Sequence, residues 1–137
     1  MNTPPIQNSA QPNIADSDPL CDPMSAEWER NYSMAMHLTL LAIHIAIPMI
    51  PAVVLYIIKK DESPFVKDHG REAINFQITL IIYAIISGLL VPICGLGFVA
   101  LTAVYVLAIV GMILAAVAAK SGKYYRYPSC IRFLGSN

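Results

Sequence analysis

The sequence predicts an all-α integral membrane protein of about three membrane helices, and three observations carry that prediction. Charged residues make up 13% of the chain and hydrophobic ones 56%, whereas about a quarter of an ordinary soluble domain is charged. The charges avoid three apolar tracts, about 34–58, 73–90 and 98–119, each close to the roughly 20 residues that a helix needs to cross a bilayer. Between the first two tracts lies a single charged connection, Lys59–Arg71, and between the last two a short uncharged turn, Val91–Gly97.

The first 24 residues are rich in Pro, Asn, Ser and Gln and carry Asp16, Asp18 and Asp22 without any Lys or Arg. With so few apolar side chains, this acidic stretch is expected to be a disordered tail. Residues 25–128 form the helical membrane domain. Ser25 is the expected N-cap of its first helix, with Glu27 and Glu29 in the first turn, and Trp28 and Tyr32 suit the headgroup level. Pro48 and Pro51 bend or break the first tract, since each removes a backbone donor and crowds the preceding turn. The half after Pro51 is short, which favours one bent span over a hairpin that dips in and returns.

Ser63 followed by Pro64 is a helix start, a side-chain acceptor before a residue that needs no N–H partner. Phe65 and Val66 are expected on the membrane surface, in an interfacial amphipathic turn set off from the second span by a bend at Gly70. In the third tract, Ala100, Ala108, Gly111 and Ala115 share a face. Ala84 and Gly88 offer a similar ridge on the second, and small residues at such spacing let membrane helices approach closely. Gly122 ends the third helix, and residues 129–137 form a C-terminal tail.

The Lys59–Arg71 connection carries four basic residues, the region from Lys120 onward four more, and the Val91–Gly97 turn none. By the positive-inside rule, loop 59–72 and the C-terminus face the cytoplasm, in a membrane expected to be the bacterial cytoplasmic one.

Arg71, Asn75, Thr79, Tyr83 and Ser87 recur every four residues and form a polar stripe along the second span, with Glu72 and Gln77 beside it. Asn and Gln are costly in hydrocarbon unless bonded, so the stripe faces protein or water. It is either interhelical glue or the wall of a path or docking surface. His37 and His44 are seven residues apart, on one helical face but about 10 Å apart along the axis, too far to share a metal unaided. His69, beside Gly70 and Arg71, reads as a surface residue. Cys21, Cys94 and Cys130 are scattered, without metal or redox spacing. No nucleophile has a companion base, and neither a phosphate loop nor a nucleic-acid patch is present. The residues thus predict neither catalytic nor metal-binding sites, and no cofactor.

Several short motifs are familiar. His37-Leu38-Thr39, Ile47-Pro48, Pro51, Lys59 to Val66, His69 to Gln77, and Gly122 to Pro128 together resemble a bacterial family of small membrane proteins of unknown function. That family is described as similar to the twenty-kilodalton subunit of the chloroplast inner-envelope protein import translocon. The resemblance implies four spans with both termini on one side, where this sequence offers three apolar tracts. It also implies a non-enzymatic, translocase-like or assembly subunit that associates with itself, as a homo-oligomer, or with other membrane proteins in the lipid bilayer. Asn75, Phe76 and Gln77 would then head the helix, and Thr79 and Tyr83 continue its contact face. The alternative is a small proton or metal ion transporter using His37 and His44.

Overall fold

The computed structural model describes residues 19–41, 49–93 and 95–135. Four helices succeed one another, α1 (Glu27–Leu38), α2 (Ile50–Lys59), α3 (Pro64–Leu89) and α4 (Leu96–Lys120), and no strand occurs among the described residues. Among the described residues, only α3 and α4 are long and apolar enough to cross a membrane. At 26 and 25 residues and 1.5 Å per residue, each exceeds the roughly 30 Å of a hydrocarbon core.

The first apolar tract is not one bent span. The Tyr32 hydroxyl of α1 donates to the Leu55 carbonyl of α2 at 2.8 Å, and the Lys59 ammonium lies 5.5 Å from the centre of the Trp28 ring. The start of α1 and the end of α2 are therefore neighbours, and the chain makes a helical hairpin. Pro48 and His44 lie outside the described residues, while Pro51 sits in the first turn of α2, where its missing N–H costs nothing. A cysteine-free background carrying Trp28→Cys and Lys59→Cys is expected to cross-link with a short bifunctional reagent in intact membranes. A bent span would hold these positions on opposite sides of the bilayer and give no product.

Ser63 caps α3, its hydroxyl accepting the Val66 N–H at 3.2 Å. The helix then runs unbroken through Gly70. Glycine is needed there for close approach: an added Cβ would lie 2.5 Å from the Tyr56 ring and 3.2 Å from the Met36 sulfur. Phe65 and Val66 do not lie on a surface but are buried, because the segment leaving α4 and the α1–α2 hairpin cover the first turns of α3. At the start of α1, the cap is Ala26, whose N–H is taken by the Glu29 carboxylate. Ser25 instead donates to the Asp22 carbonyl and accepts from Arg30.

Leu90 to Ile93 open the far turn, and Gly95, in the left-handed region (φ 73°), closes it onto α4. A Cβ at Gly97 would come within 2.3 Å of the Ser87 carbonyl oxygen, so the two long helices begin their pairing backbone to backbone. α4 packs against both α1 and α3. Gly111 faces Phe76 and Tyr127, and Ala115 and Ala119 are fully buried one and two turns on. Ala84 lines an apolar groove between α3 and α4. Gly88 is exposed, and an added Cβ there would meet nothing within 4 Å. The ridge expected on α3 therefore ends at Ala84, because the helix has turned its Gly88 side outward.

At its other end α4 stops in a Schellman turn. The Gly122 N–H donates to the Ala119 carbonyl at 3.0 Å, and the Lys123 N–H to the Ala118 carbonyl at 2.9 Å, with Gly122 at φ 70°. Residues 19–24 do not stand apart as a free tail. Asp22 N–H donates to the Gly122 carbonyl at 2.8 Å and Tyr124 N–H to the Leu20 carbonyl at 2.7 Å, so this segment is tied to the exit of α4. Residues 1–18 lie outside the described part. All nine Lys and Arg fall in the segments gathered at this pole: the start of α1, the α2–α3 connection, the first turns of α3, the end of α4 and the C-terminal segment beyond it. The opposite pole carries none.

The core comprises Leu40, Phe76, Leu80, Met112, Ala115 and Tyr127. Outside it, Val99, Val106, Val110, Ile113, Leu114 and Val117 of α4 are exposed together. Patches of this kind mark contact with membrane or protein rather than water.

Candidate functional site

The polar stripe of α3 is occupied by the chain's own C-terminal tail. Pro128 and Ser129 (φ 58°) reverse the chain, and residues 129–135 then run back along α3 without regular structure. The Tyr83 hydroxyl donates to the Ser129 carbonyl at 2.8 Å, and Thr79 Oγ1 accepts the Ile131 N–H at 3.0 Å. Asn75 Oδ1 accepts the N–H groups of Phe133 and Leu134 at 3.1 and 2.8 Å, while its Nδ2 donates to the Leu134 carbonyl at 2.9 Å. Arg71 closes the track on the Gly135 carbonyl at 3.1 Å. A rise of four residues on a helix is about 6 Å, close to two residues of extended chain, so one rung of the stripe serves every second tail residue. Non-helical backbone is tolerated at membrane depth only where its polar groups are satisfied by protein. The stripe does that for the tail.

Neighbouring residues on α3 point elsewhere, as 100° per residue dictates. Gln77 Nε2 donates to Thr39 Oγ1 at the end of α1, at 3.1 Å, and its Oε1 has no partner among the described residues. Phe76 stacks on Tyr127, with ring centres 3.7 Å apart. The Asn75-Phe76-Gln77 run therefore ties α3 to the tail, to α4 through Gly111, and to α1.

Sequence reasoning missed a second cluster. His69 is no surface residue; it is 0% exposed. Its Nδ1 lies 2.8 Å from Nε2 of His37, whose Nδ1 lies 2.9 Å from the Tyr127 hydroxyl. In either direction of donation along this chain, each imidazole needs only one proton. Burial, then the facing His69, hold His37 well below the ordinary histidine value. Burial pushes the Tyr127 phenol well above its own. One signal could have revealed the cluster: Phe65, His69, Glu72 and Phe76 recur at four, three and four residues, the spacing of one inward face. Glu72 accepts the Tyr127 N–H at 3.0 Å and pairs with Arg132. Arg126 binds the Asp68 carboxylate through both terminal nitrogens, and that bond raises its pKa. Tyr124, half-buried and beside Asp22, is pushed up to about 12 and stays a phenol. His44 lies outside the described residues, and no group of three His, Cys, Asp or Glu able to hold a metal occurs within them.

The same stretch, from the start of α1 to the docked tail, is what matches a known family. A model described as the magnetosome magnetite crystal formation protein family, MamF/MmsF, matches residues 28–134, more than three-quarters of the chain. The chain belongs to the MamF/MmsF family. No curated protein and no solved structure matches it. The comparison lends no support to a likeness to the import translocon. The MamF/MmsF match runs through the tail residues seated on Asn75, Thr79 and Tyr83 and stops one residue before Gly135.

Proposed function

We propose that this chain is a non-enzymatic subunit of the magnetosome membrane that acts in magnetite crystal formation by assembling with itself or with other membrane proteins. α3 and α4 are its spans, and its charged pole faces the cytoplasm. The family match over residues 28–134 carries this reading, and the two long apolar helices support membrane insertion. The distribution of charge supports an indirect action on the crystal. The turn at the uncharged pole, Val91–Gly97, holds no Asp, Glu or His, the oxygen and imidazole donors that bind iron-like cations. The described carboxylates gather with the basic residues at the other pole. Transport through the histidines is less well supported, because His37 is 1% exposed with both ring nitrogens engaged.

The test is expression in a magnetite-forming bacterium from which its own members of this family have been deleted. The chain is expected to co-purify with the magnetosome membrane and to restore crystal size, measured by electron microscopy. Membrane insertion with crystals no different from those of the deletion strain would refute the role.

A further inference from the structure

At the charged pole, the first two turns of α3 and the segment leaving α4 flank a half-open cavity of about 270 Å³, lined by Pro64, Lys67, Asp68, Arg71, Tyr124 and Arg126. Its charges do not balance. Asp68 is taken up by the two-pronged bond from Arg126. That leaves Lys67, whose ammonium has no ion pair among the described residues. It also leaves Arg71, which gives one terminal nitrogen to the Gly135 carbonyl and Nε to the Tyr56 hydroxyl at a long 3.4 Å. Like charges four residues apart on a helix repel, and here both are half-buried around one cavity. An anion between them removes that cost.

Depth identifies the source of the anion. The apolar part of α3 begins near Ala73, so Arg71 and Lys67 stand about 3 and 9 Å beyond the hydrocarbon edge at 1.5 Å per residue. Headgroups fill a layer of roughly 5–7 Å there, so Arg71 stands inside it and Lys67, on its long flexible side chain, just beyond its outer edge. We infer that this cavity binds the phosphate of an anionic phospholipid headgroup, with Lys67 and Arg71 as the two ligating side chains. Arg71 offers its free terminal N–H groups in a fixed fork, and Lys67 a mobile point charge. A choline headgroup brings its own cation into a cavity that already holds two unpaired ones, so the site discriminates against zwitterionic lipid. Inorganic phosphate shares the chemistry without the acyl anchor. The inference rests on the membrane reading above.

The test uses the full chain in detergent micelles, with native mass spectrometry of lipid adducts after titration with phosphatidylglycerol or phosphatidylcholine. Recovery of folded chain from the membrane fraction checks the membrane reading separately. A preference for phosphatidylglycerol is expected, falling about fivefold with Lys67→Gln and about thirtyfold with Lys67→Gln and Arg71→Gln together, at one electrostatic contact per cation. Lys67→Gln touches no described partner and keeps the test open if the Arg71 variant misfolds. Lys60→Gln, at the same pole outside the cavity, is expected to leave the preference intact. Equal retention of both lipids, or an equal loss with Lys60→Gln, would overturn the site. Displacement of phosphatidylglycerol by millimolar inorganic phosphate, with no preference between the lipids, would overturn its assignment to lipid.

Discussion

Replacing Asn75 by leucine is expected to cost about 3 kcal/mol of stability and to free the C-terminal tail from α3. Asn75 is 1% exposed and makes three hydrogen bonds to tail backbone, two accepted from Phe133 and Leu134 and one donated to the Leu134 carbonyl. Leucine fills nearly the same space and offers none of them. An orphaned buried backbone group costs about 1–3 kcal/mol. The lower end applies here, because the tail is partly exposed and water can reach some of its groups once it lifts. Two measurements check the result: denaturant unfolding in detergent, and the rate of tryptic cleavage after Arg132, which the docked tail protects through Arg132's bond to Glu72. Tyr83→Phe removes a single bond at an exposed rung and is expected to cost about 1 kcal/mol or less. If Asn75→Leu left cleavage unchanged, the tail would be held by its apolar contacts and the stripe would be incidental.

Whether a feature is legible in the sequence depends on whether the interaction that makes it is local. The start of α3 is legible at Ser63-Pro64 and the end of α4 at Gly122, because caps act within a turn of the residues that make them. The four-residue recurrence of Asn75, Thr79 and Tyr83 places them on one helical face. The occupant of that face is not legible, because residues 129–135 have no periodicity and meet α3 more than 45 residues away in sequence. The hairpin is hidden for a related reason. Two prolines in an apolar tract allow a bend or a reversal alike, and the Tyr32–Leu55 bond that decides between them is non-local. His69 reads as a surface residue only because its neighbours are charged. On a helix, Asp68 and Arg71 point toward the cavity while His69, a third of a turn away from Asp68, points inward.

The tail and the histidines are parts of one arrangement, since Tyr127 belongs to both. Its ring stacks on Phe76, its N–H is held by Glu72 and its hydroxyl reaches His37. The close fit at Gly111, where an added Cβ would lie 3.0 Å from Phe76 and 3.1 Å from Tyr127, locks that ring in place. A tail lifted at Asn75 therefore pulls first on the Pro128 turn and only then on the histidine chain.

Acid is expected to loosen this arrangement from the histidine side. His37 lies on α1, outside the two long apolar helices, and its folded pKa is depressed by burial and by His69. The neutral ring is the one the fold accepts. Its contribution is fully present above the unfolded value of about 6.5 and is lost as pH falls below it, because the unfolded chain takes up a proton that the folded chain refuses. The expected slope is about 1.4 kcal/mol per pH unit from His37 alone, and the equally buried His69 beside it adds to that slope. His69 and Tyr127 face the ring directly, with Asp68 and Arg126 acting on His69 from either side. The Asp68–Arg126 pair partly cancels, so it does not supply the missing counter-charge. Unfolding midpoints measured in detergent from pH 8 to pH 5 are expected to hold steady above 7 and fall below 6.5. His37→Gln, which retains a donor and an acceptor but cannot charge, is expected to be less stable at pH 8 and to make the acid limb shallower, the equally buried His69 supplying the slope that remains. A variant that kept the full acid slope would move the titrating group elsewhere and leave the His37–His69–Tyr127 chain a purely structural contact.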